Sequence, residues 1–482
     1  MGTPARALEP GLAVGAVAAA LGLRLAYLGR IDLLPEEAYY WSYAQHLDLG
    51  YLDHPPLVAW LIWAGEAVLG KSELGVRIGA WLLSLATAGF GYGVARNAFG
   101  AAAGCWTLLL VSGLPYFFGV GMLMTPDAPL VASWAGALYF LERALLAGRG
   151  AAWLGFGACL GVGMLSKYSM ALLGAAALGA VLLDPAQRRW LRRPEPYLGL
   201  ALALAIFSPV LVWNARHDWA SFAFQSARRL GRPGRFGLPW LAAGAALLLT
   251  PLGLFAALQA LAGGDGPPAR FRRQARLFAG VPLAVFAAFS LRHGVRLHWT
   301  GPLWLAALPL VAQRIATRPG LARIWGATLA ALLLLYAAGL EALAAGSLGV
   351  GAPRLPVGWR ELAAAVQALA RPLAGEADPP PLLVGMDHYS IASELGFYAG
   401  GEEATGRQLF GRHSLMYERW AWPRLQPGRP LVLVSFARDD LEDPRLARYL
   451  DALGPVEEHV LDRSGRALGR FYTRVGRSRA PD

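Results

Sequence analysis

Lysine is nearly missing from this 482-residue chain: of 44 basic residues only two, Lys71 and Lys167, are lysine. An arginine bias of that kind follows from a GC-rich genome, and it singles out each surviving lysine. Cysteine is equally scarce. Cys105 and Cys159 both lie in apolar stretches with no second cysteine at ligand spacing, which excludes a disulfide framework and a thiolate metal centre. Charge is sparse too, at 16% against 56% hydrophobic residues, and a soluble domain of this length cannot be covered with so little of it. The net charge of +12 is spread over short loops, so nucleic acid is not implied as a partner. Neither an internal repeat nor a low-complexity tract is found.

What the chain has is apolar length. Gly11 to Leu28, Ala201 to Trp213, Leu238 to Ala262 and Ala327 to Ala345 approach or exceed the roughly 20 residues that span a bilayer as a helix. The first run lacks a small-residue cleavage site and is read as a retained helix. Spans are expected near 11–29, 74–95, 101–120, 128–147, 152–165, 168–183, 197–213, 238–262, 277–291, 300–313 and 324–346. The fold class is therefore an all-α polytopic membrane bundle of about 11 helices, followed by a small C-terminal α/β domain. Residues 1–346 form the first domain and 347–482 the second, with a turn-rich linker over Gly346 to Pro356. In the tail, helices are expected near 358–371 and Ser390 to Tyr398, and strands at Leu382 to Met386 and Leu431 to Phe436. Arginine gathers in alternate connections, including Arg188, Arg189, Arg192 and Arg193, and Arg270, Arg272, Arg273 and Arg276. The positive-inside rule puts these in the cytoplasm, and the first loop (30–73), the turn at 124–129, the break at 166–168, loops 214–237 and 292–299 and the tail outside.

Two outer loops oppose that rule. Loop 214–237 carries Arg216, Arg228, Arg229, Arg232 and Arg235, and loop 292–299 carries Arg292, Arg296, His293 and His298. Guanidinium groups fork onto phosphate oxygens, so an anionic headgroup explains them as well as ordinary anionic lipid does. The first outer loop reads Pro35-Glu36-Glu37-Ala38-Tyr39-Tyr40-Trp41 and then Gly50-Tyr51-Leu52-Asp53-His54-Pro55-Pro56-Leu57. Glu37 to Leu47 is expected as a short helix whose aromatic residues suit the headgroup layer. Adjacent carboxylates there either serve acid–base chemistry or sit on a solvated helix start. Asp127, in Met124-Thr125-Pro126-Asp127-Ala128-Pro129, either caps the next helix or is a functional acid at membrane depth. Lys167, in Leu165-Ser166-Lys167-Tyr168, breaks an apolar stretch and either snorkels to the interface or has a task there.

Taken in order and spacing, Pro-Glu-Glu-Ala-Tyr-Tyr-Trp, Gly-Tyr-Leu-Asp-His-Pro-Pro-Leu, Thr-Pro-Asp-Ala-Pro-Leu and Leu-Ser-Lys-Tyr resemble the bacterial dolichyl-phosphate-mannose protein mannosyltransferase-like family of the GT-C fold, which includes the lipid A aminoarabinose transferases. The resemblance covers roughly residues 20 to 310, and Asp387-His388-Tyr389-Ser390 through Phe397-Tyr398 looks like the family's outer domain. It implies an inverting transfer of a sugar from a polyprenyl-phosphate carrier to a lipid, glycan or protein acceptor, outside a bacterial plasma membrane. The family usually has Asp-Glu where this chain has Glu36-Glu37, so Glu36 would be the base and Glu37 its orienting partner. Asp53 with His54 matches the second acidic position, Asp127 the acid after the third span, and Lys167 a basic residue near the donor phosphate. Arg296, Arg228 and Arg229 would complete the charge sink. A stable phosphate leaving group makes a nucleotide cofactor unnecessary; some relatives use a divalent cation, for which Asp53 with His54, His293 or His298 offers oxygen and nitrogen ligands. The rival readings are a lipid or sugar transporter, which calls for inverted repeats, and a noncatalytic glycan sensor.

Overall fold

Proline and glycine decide where the apolar runs break. The computed structural model describes residues 10–230, 234, 236–263, 269–347, 356–375, 379–400, 404–420, 426–463 and 465–479. Its first helices are α1 (Pro10–Tyr27), α2 (Pro35–Gln45), α3 (Leu57–Leu69), α4 (Glu73–Phe99), α5 (Ala101–Gly113), α6 (Pro115–Val120) and α7 (Asp127–Leu145). They are followed by α8 (Ala152–Ser166), α9 (Ala171–Leu183), α10 (Glu195–Arg216), α11 (Ala220–Leu230), α12 (Leu238–Ala262), α13 (Ala269–Ser290), α14 (Leu308–Ala316) and α15 (Pro319–Ala344). Among the described residues, α4, α10, α12 and α15 are long and apolar enough to cross a membrane, and shorter apolar helices accompany them. The chain is a multi-pass membrane protein.

Three departures from the expected spans have local causes. The run 101–120 is two helices, because Pro115 has no N–H to continue α5 and Leu114 turns extended (φ −68°, ψ 144°). α12 kinks at Thr250 (φ 67°, ψ 157°), just ahead of Pro251. The first outer loop contains the apolar helix α3, whose 13 residues fall short of a full span.

By its contacts the chain divides into two units. One is Met1–Ala26, Leu49–Val58 and Arg77–Ala337; the other is Tyr27–Asp48, Ala59–Val76 and Ala338–Asp482. The second thus takes in α2 and most of α3 besides the tail, and its border falls inside α15. Of the expected linker, residues 348–355 lie outside the described residues.

In the first unit, α8 and α10 approach through small residues. A Cβ on Gly157 would lie 2.0 Å from the Gly199 carbonyl oxygen, and one on Gly161 2.8 Å from that of Ala203. Gly157 with Gly161, and Gly199 with Ala203, are small residues four apart, the spacing that lets membrane helices touch backbone to backbone. Gly157→Leu is expected to cost about 1–3 kcal/mol by overpacking, read as a lower unfolding temperature in detergent. Gly179→Leu is the control, since nothing lies within 4 Å of that Cβ position. An unchanged transition in Gly157→Leu would remove the close approach from the account.

Arg24 stabilises the break between α5 and α6. It is 1% exposed, and its Nη2 donates to the carbonyls of Ser112 (2.7 Å) and Phe117 (3.4 Å) while Nη1 donates to Ser84 Oγ (3.3 Å). Tyr336 donates to the next free carbonyl, Gly113, at 3.0 Å. A cation at a helix C-terminus satisfies orphan carbonyls and opposes the negative end of the helix dipole. This junction leads into the start of α7 at Asp127.

The second unit continues with α16 (Trp359–Ala374), β1 (Leu382–Gly385), α17 (Ser390–Leu395), β2 (Ala404–Gly406), β3 (Pro430–Ser435), α18 (Arg438–Leu441), β4 (Leu450–Asp451), β5 (Val456–Arg463) and β6 (Arg466–Ser478). The sheet runs β2-β1-β3-β6-β4, with β5 also on β6. β1 is parallel to β2 and β3, and β6 is antiparallel to β3. One face packs on α16 and α17 through Leu362, Val366, Ile391, Leu395 and Val432; the other carries Val384, Phe410, Leu433 and Leu441. Buried Asp32 ties the early segment to the tail, accepting from Trp359 N (3.0 Å) and pairing with Arg360 (3.3 Å) and Arg463 (3.4 Å).

Candidate functional site

Three successive residues at the break after α8 each find a different partner. Ser166 Oγ donates to the Pro126 carbonyl, Lys167 Nζ donates to Asp127 Oδ1 (3.0 Å) and Oδ2 (3.1 Å), and the Tyr168 hydroxyl shares a hydrogen bond with Ser221 Oγ (2.8 Å). The chain goes extended at Lys167 (φ −157°, ψ 132°), which turns its side chain out of the helical path. Residues 126–127 and 166–167 therefore meet pair to pair. Asp127 is not a cap: Pro126 holds the N-cap position and Asp127 opens the helix. Its carboxylate is buried against an ammonium, the arrangement that a charge at membrane depth requires.

Two histidines join this pair. His298 Nε2 lies 3.6 Å from Asp127 Oδ2, and the charge of His54 acts on the same carboxylate. Desolvation pushes the His298 pKa down to about 4, against the pull of Asp127 and with the help of the Lys167 and Arg296 charges. The ring is neutral at pH 7. Because the unfolded chain protonates this histidine first, its contribution is complete above pH 6.5 and is lost as pH falls toward 4. Replacing His298 by Gln should accordingly flatten the fall in unfolding temperature between pH 6.5 and 5. An unaltered acid limb would place that loss on other groups.

Asp53 lies near this cluster in the first unit. Its carbonyl accepts from Gln225 of α11, and its charge acts on Tyr168. Exposed Arg296 acts on His298. The side chains of Arg228 and Arg229, at the end of α11, lie outside the described residues. Asp127, Lys167, His298, His54 and Arg296 thus converge, with Asp53 beside Tyr168. Among the described residues no three His, Cys, Asp or Glu side chains come together to hold a metal ion. Of the expected donors, His298 turns Nε2 toward Asp127 at 3.6 Å, and Asp127 has both oxygens on the Lys167 ammonium.

Glu36 and Glu37 belong to the second unit and differ sharply. Glu37 is 0% exposed and accepts from Leu34 N at 3.1 Å, closing the first turn of α2. Glu36 is half-buried and makes no hydrogen bond or ion pair among the described residues. The aromatic residues of α2, expected in the headgroup layer, are buried inside this unit. Tyr39 accepts from Met416 N (3.2 Å), and Trp41 donates to Glu66 (2.8 Å).

The chain has the fold of ArnT from Cupriavidus metallidurans, solved bound to undecaprenyl phosphate, with a TM-score of 0.68 over 97% of this chain and 98% of that one at 18% identity. Residues 53–213, which hold Asp53, His54, Asp127 and Lys167, match the family described as dolichyl-phosphate-mannose-protein mannosyltransferase. The family match covers about a third of the chain, and the likeness of fold covers nearly all of it.

Two curated relatives of this chain come from Rhizobium johnstonii. The lipid A galacturonosyltransferase RgtD is 31% identical over 195 residues, 39% of each chain. The lipopolysaccharide core galacturonosyltransferase RgtA is 28% identical over 294 residues, 60% of this chain and 53% of the relative. The matches thus span between two-fifths and about half of the curated relatives. Sequence reasoning singled out the acids and Lys167 of the mannosyltransferase-like segment but passed over the groups that position them. Tyr168, Ser221, Asn214 and Gln225 are polar residues flanking apolar runs, and Asn214 Oδ1 accepts from Ser221 N at 3.2 Å. Arg24 carried a clearer signal, a lone charge inside the first apolar run.

Proposed function

We propose that the chain is an inverting glycosyltransferase that moves a sugar from a polyprenyl-phosphate carrier to a hydroxyl or phosphate of lipid A, a surface glycan or a protein, at the outer face of a bacterial plasma membrane. The observation that carries this reading is the buried Lys167–Asp127 pair, flanked by His54, His298 and Arg296, within the family-matched segment. In the reaction the acceptor oxygen attacks the anomeric carbon, the bond from that carbon to the phosphate oxygen breaks, and the polyprenyl phosphate leaves with the electron pair.

The acceptor proton goes to Glu36, whose carboxylate no other group among the described residues engages. Glu37 holds the turn on which Glu36 sits. Lys167, with Arg296 and His54 near it, takes the growing negative charge of the departing phosphate, and Asp127 keeps Lys167 in place. Asp53 and His54 belong to the first unit with Lys167. Periplasmic exposure of the second unit follows from the charge asymmetry of the loops.

The test is protein purified into lipid and given a panel of radiolabelled polyprenyl-phosphate sugars, galacturonate among them, with membrane extract as acceptor. Consumption of one donor by the wild type supports the assignment and names the sugar. Passage of intact labelled lipid across the bilayer would replace it with transport.

A further inference from the structure

We infer that a crevice at the carboxyl ends of β1 and β3, within the second unit, binds a phosphate monoester. The site stands apart from the transfer reaction and does not depend on it. Its first support is topological. After β1 the chain passes to α17 on one face of the sheet, and after β3 it passes to α18 on the other, as the two cores show. Neighbouring parallel strands whose connections leave to opposite faces open a crevice between their ends, the place where open α/β sheets take ligands.

The second support is what lines that crevice. Arg407 follows β2 directly, and its guanidinium is held by carbonyls rather than carboxylates, with Nε donating to His413 O (3.0 Å) and Nη1 to Met386 O (3.5 Å). Among the described residues it forms no ion pair. Burial and then the charge of Arg412 hold its pKa below the usual arginine value, against the acids Asp387, Asp440 and Glu418. Arg412 is fixed to the end of β3: Nη2 donates to Asp440 Oδ1 (3.0 Å), and Asp440 also accepts from Ser435 Oγ (3.0 Å). Its Nη1 is buried without a hydrogen-bond partner and lies 4.0 Å from Asp443 Oδ2, a carboxylate that Arg445 also engages.

Imidazoles complete the rim. The His388 and His413 rings are 5.2 Å apart, Ser414 Oγ holds the His388 carbonyl at 2.9 Å, and His413 is 54% exposed beside Glu418. Of the nearby acids, Asp387 has both oxygens engaged by the Ser390 and Ile391 amides at 3.0 Å, and Asp440 is engaged by Arg412 and Ser435. Two guanidinium groups that bear on each other, one with a buried N–H that makes no hydrogen bond, suit a compact dianion with several acceptor oxygens. Free phosphate and a phosphorylated glycan headgroup both present that group.

The test labels the full chain, in discs of neutral lipid, with phenylglyoxal and reads each arginine by peptide mass spectrometry. Inorganic phosphate or glucosamine 1-phosphate should lower labelling of Arg407 and Arg412 by about threefold or more, leaving exposed Arg470 unchanged and with N-acetylglucosamine inert. Equal potency of the two phosphates makes the free anion the ligand; at least about tenfold greater potency of the sugar phosphate makes it a headgroup. Arg407→Gln should abolish protection of Arg412, and His413→Gln, at an exposed position, should weaken it in a chain that folds normally. Labelling that no phosphate alters, or that N-acetylglucosamine alters equally, overturns the site.

Discussion

Lys167→Met should abolish transfer and destabilise the helical unit, and adding Asp127→Asn should restore stability while leaving transfer lost. The ammonium touches both oxygens of Asp127, and the two side chains are only 14% and 12% exposed. Removing one member leaves an uncompensated buried carboxylate, which costs about 3–5 kcal/mol; removing both charges is close to neutral. Thermal unfolding in detergent reads the first effect and donor consumption the second. His298 adds a pH signature. Lys167 lowers its pKa and Asp127 raises it, so without the lysine the imidazole gains protons more readily and can itself pair with Asp127. The stability defect of Lys167→Met should therefore shrink between pH 7 and 5. A single variant with the wild-type transition at every pH would end the claim that this pair holds the site.

Local chemistry made much of this legible beforehand. The run 152–183 had to break at Ser166-Lys167-Tyr168, because a lysine there needs water or a partner. The partner itself lies 40 residues away in sequence, and only the fold brings it near. Pro115 and Pro251 marked the two broken spans, yet apolar length on both sides outweighed them. α3 went unseen because 13 apolar residues beside an acidic loop fall short of the spanning length. In the tail, β1 and β3 are continuous apolar runs and were expected. β5 (Val456–Arg463) was not, since only one of its eight residues is buried and its apolar residues, Val456, Val460 and Leu461, do not alternate with polar ones. The aromatic residues of α2 fitted an interfacial belt by composition, but composition cannot separate that from burial under a domain placed hundreds of residues later. Glu37 went the same way: a carboxylate at the third helical position is a sign of an N-terminal turn, and the paired acids drew attention from it.

That contrast between the two glutamates yields the sharpest test. Glu36→Gln keeps size and shape, breaks no protein hydrogen bond among the described residues, and leaves α2 short of one charge near its N-terminus. Its effect on unfolding should be at most about 0.3–1 kcal/mol. Its effect on transfer should be a loss of about 10²–10⁴-fold, the usual contribution of a positioned base. Glu37→Ala should do the reverse in kind: a buried amide at Leu34 loses its acceptor, so stability falls by about 1–3 kcal/mol, and whatever protein stays folded should keep a measurable rate. Donor binding, followed by protection of Lys167 from acylation, should be retained in Glu36→Gln, because the groups proposed to meet the phosphate belong to the other unit. Near-normal transfer by Glu36→Gln would move the base elsewhere, and the acid to examine next is Asp53, which shares the first unit with Lys167 and bears on Tyr168.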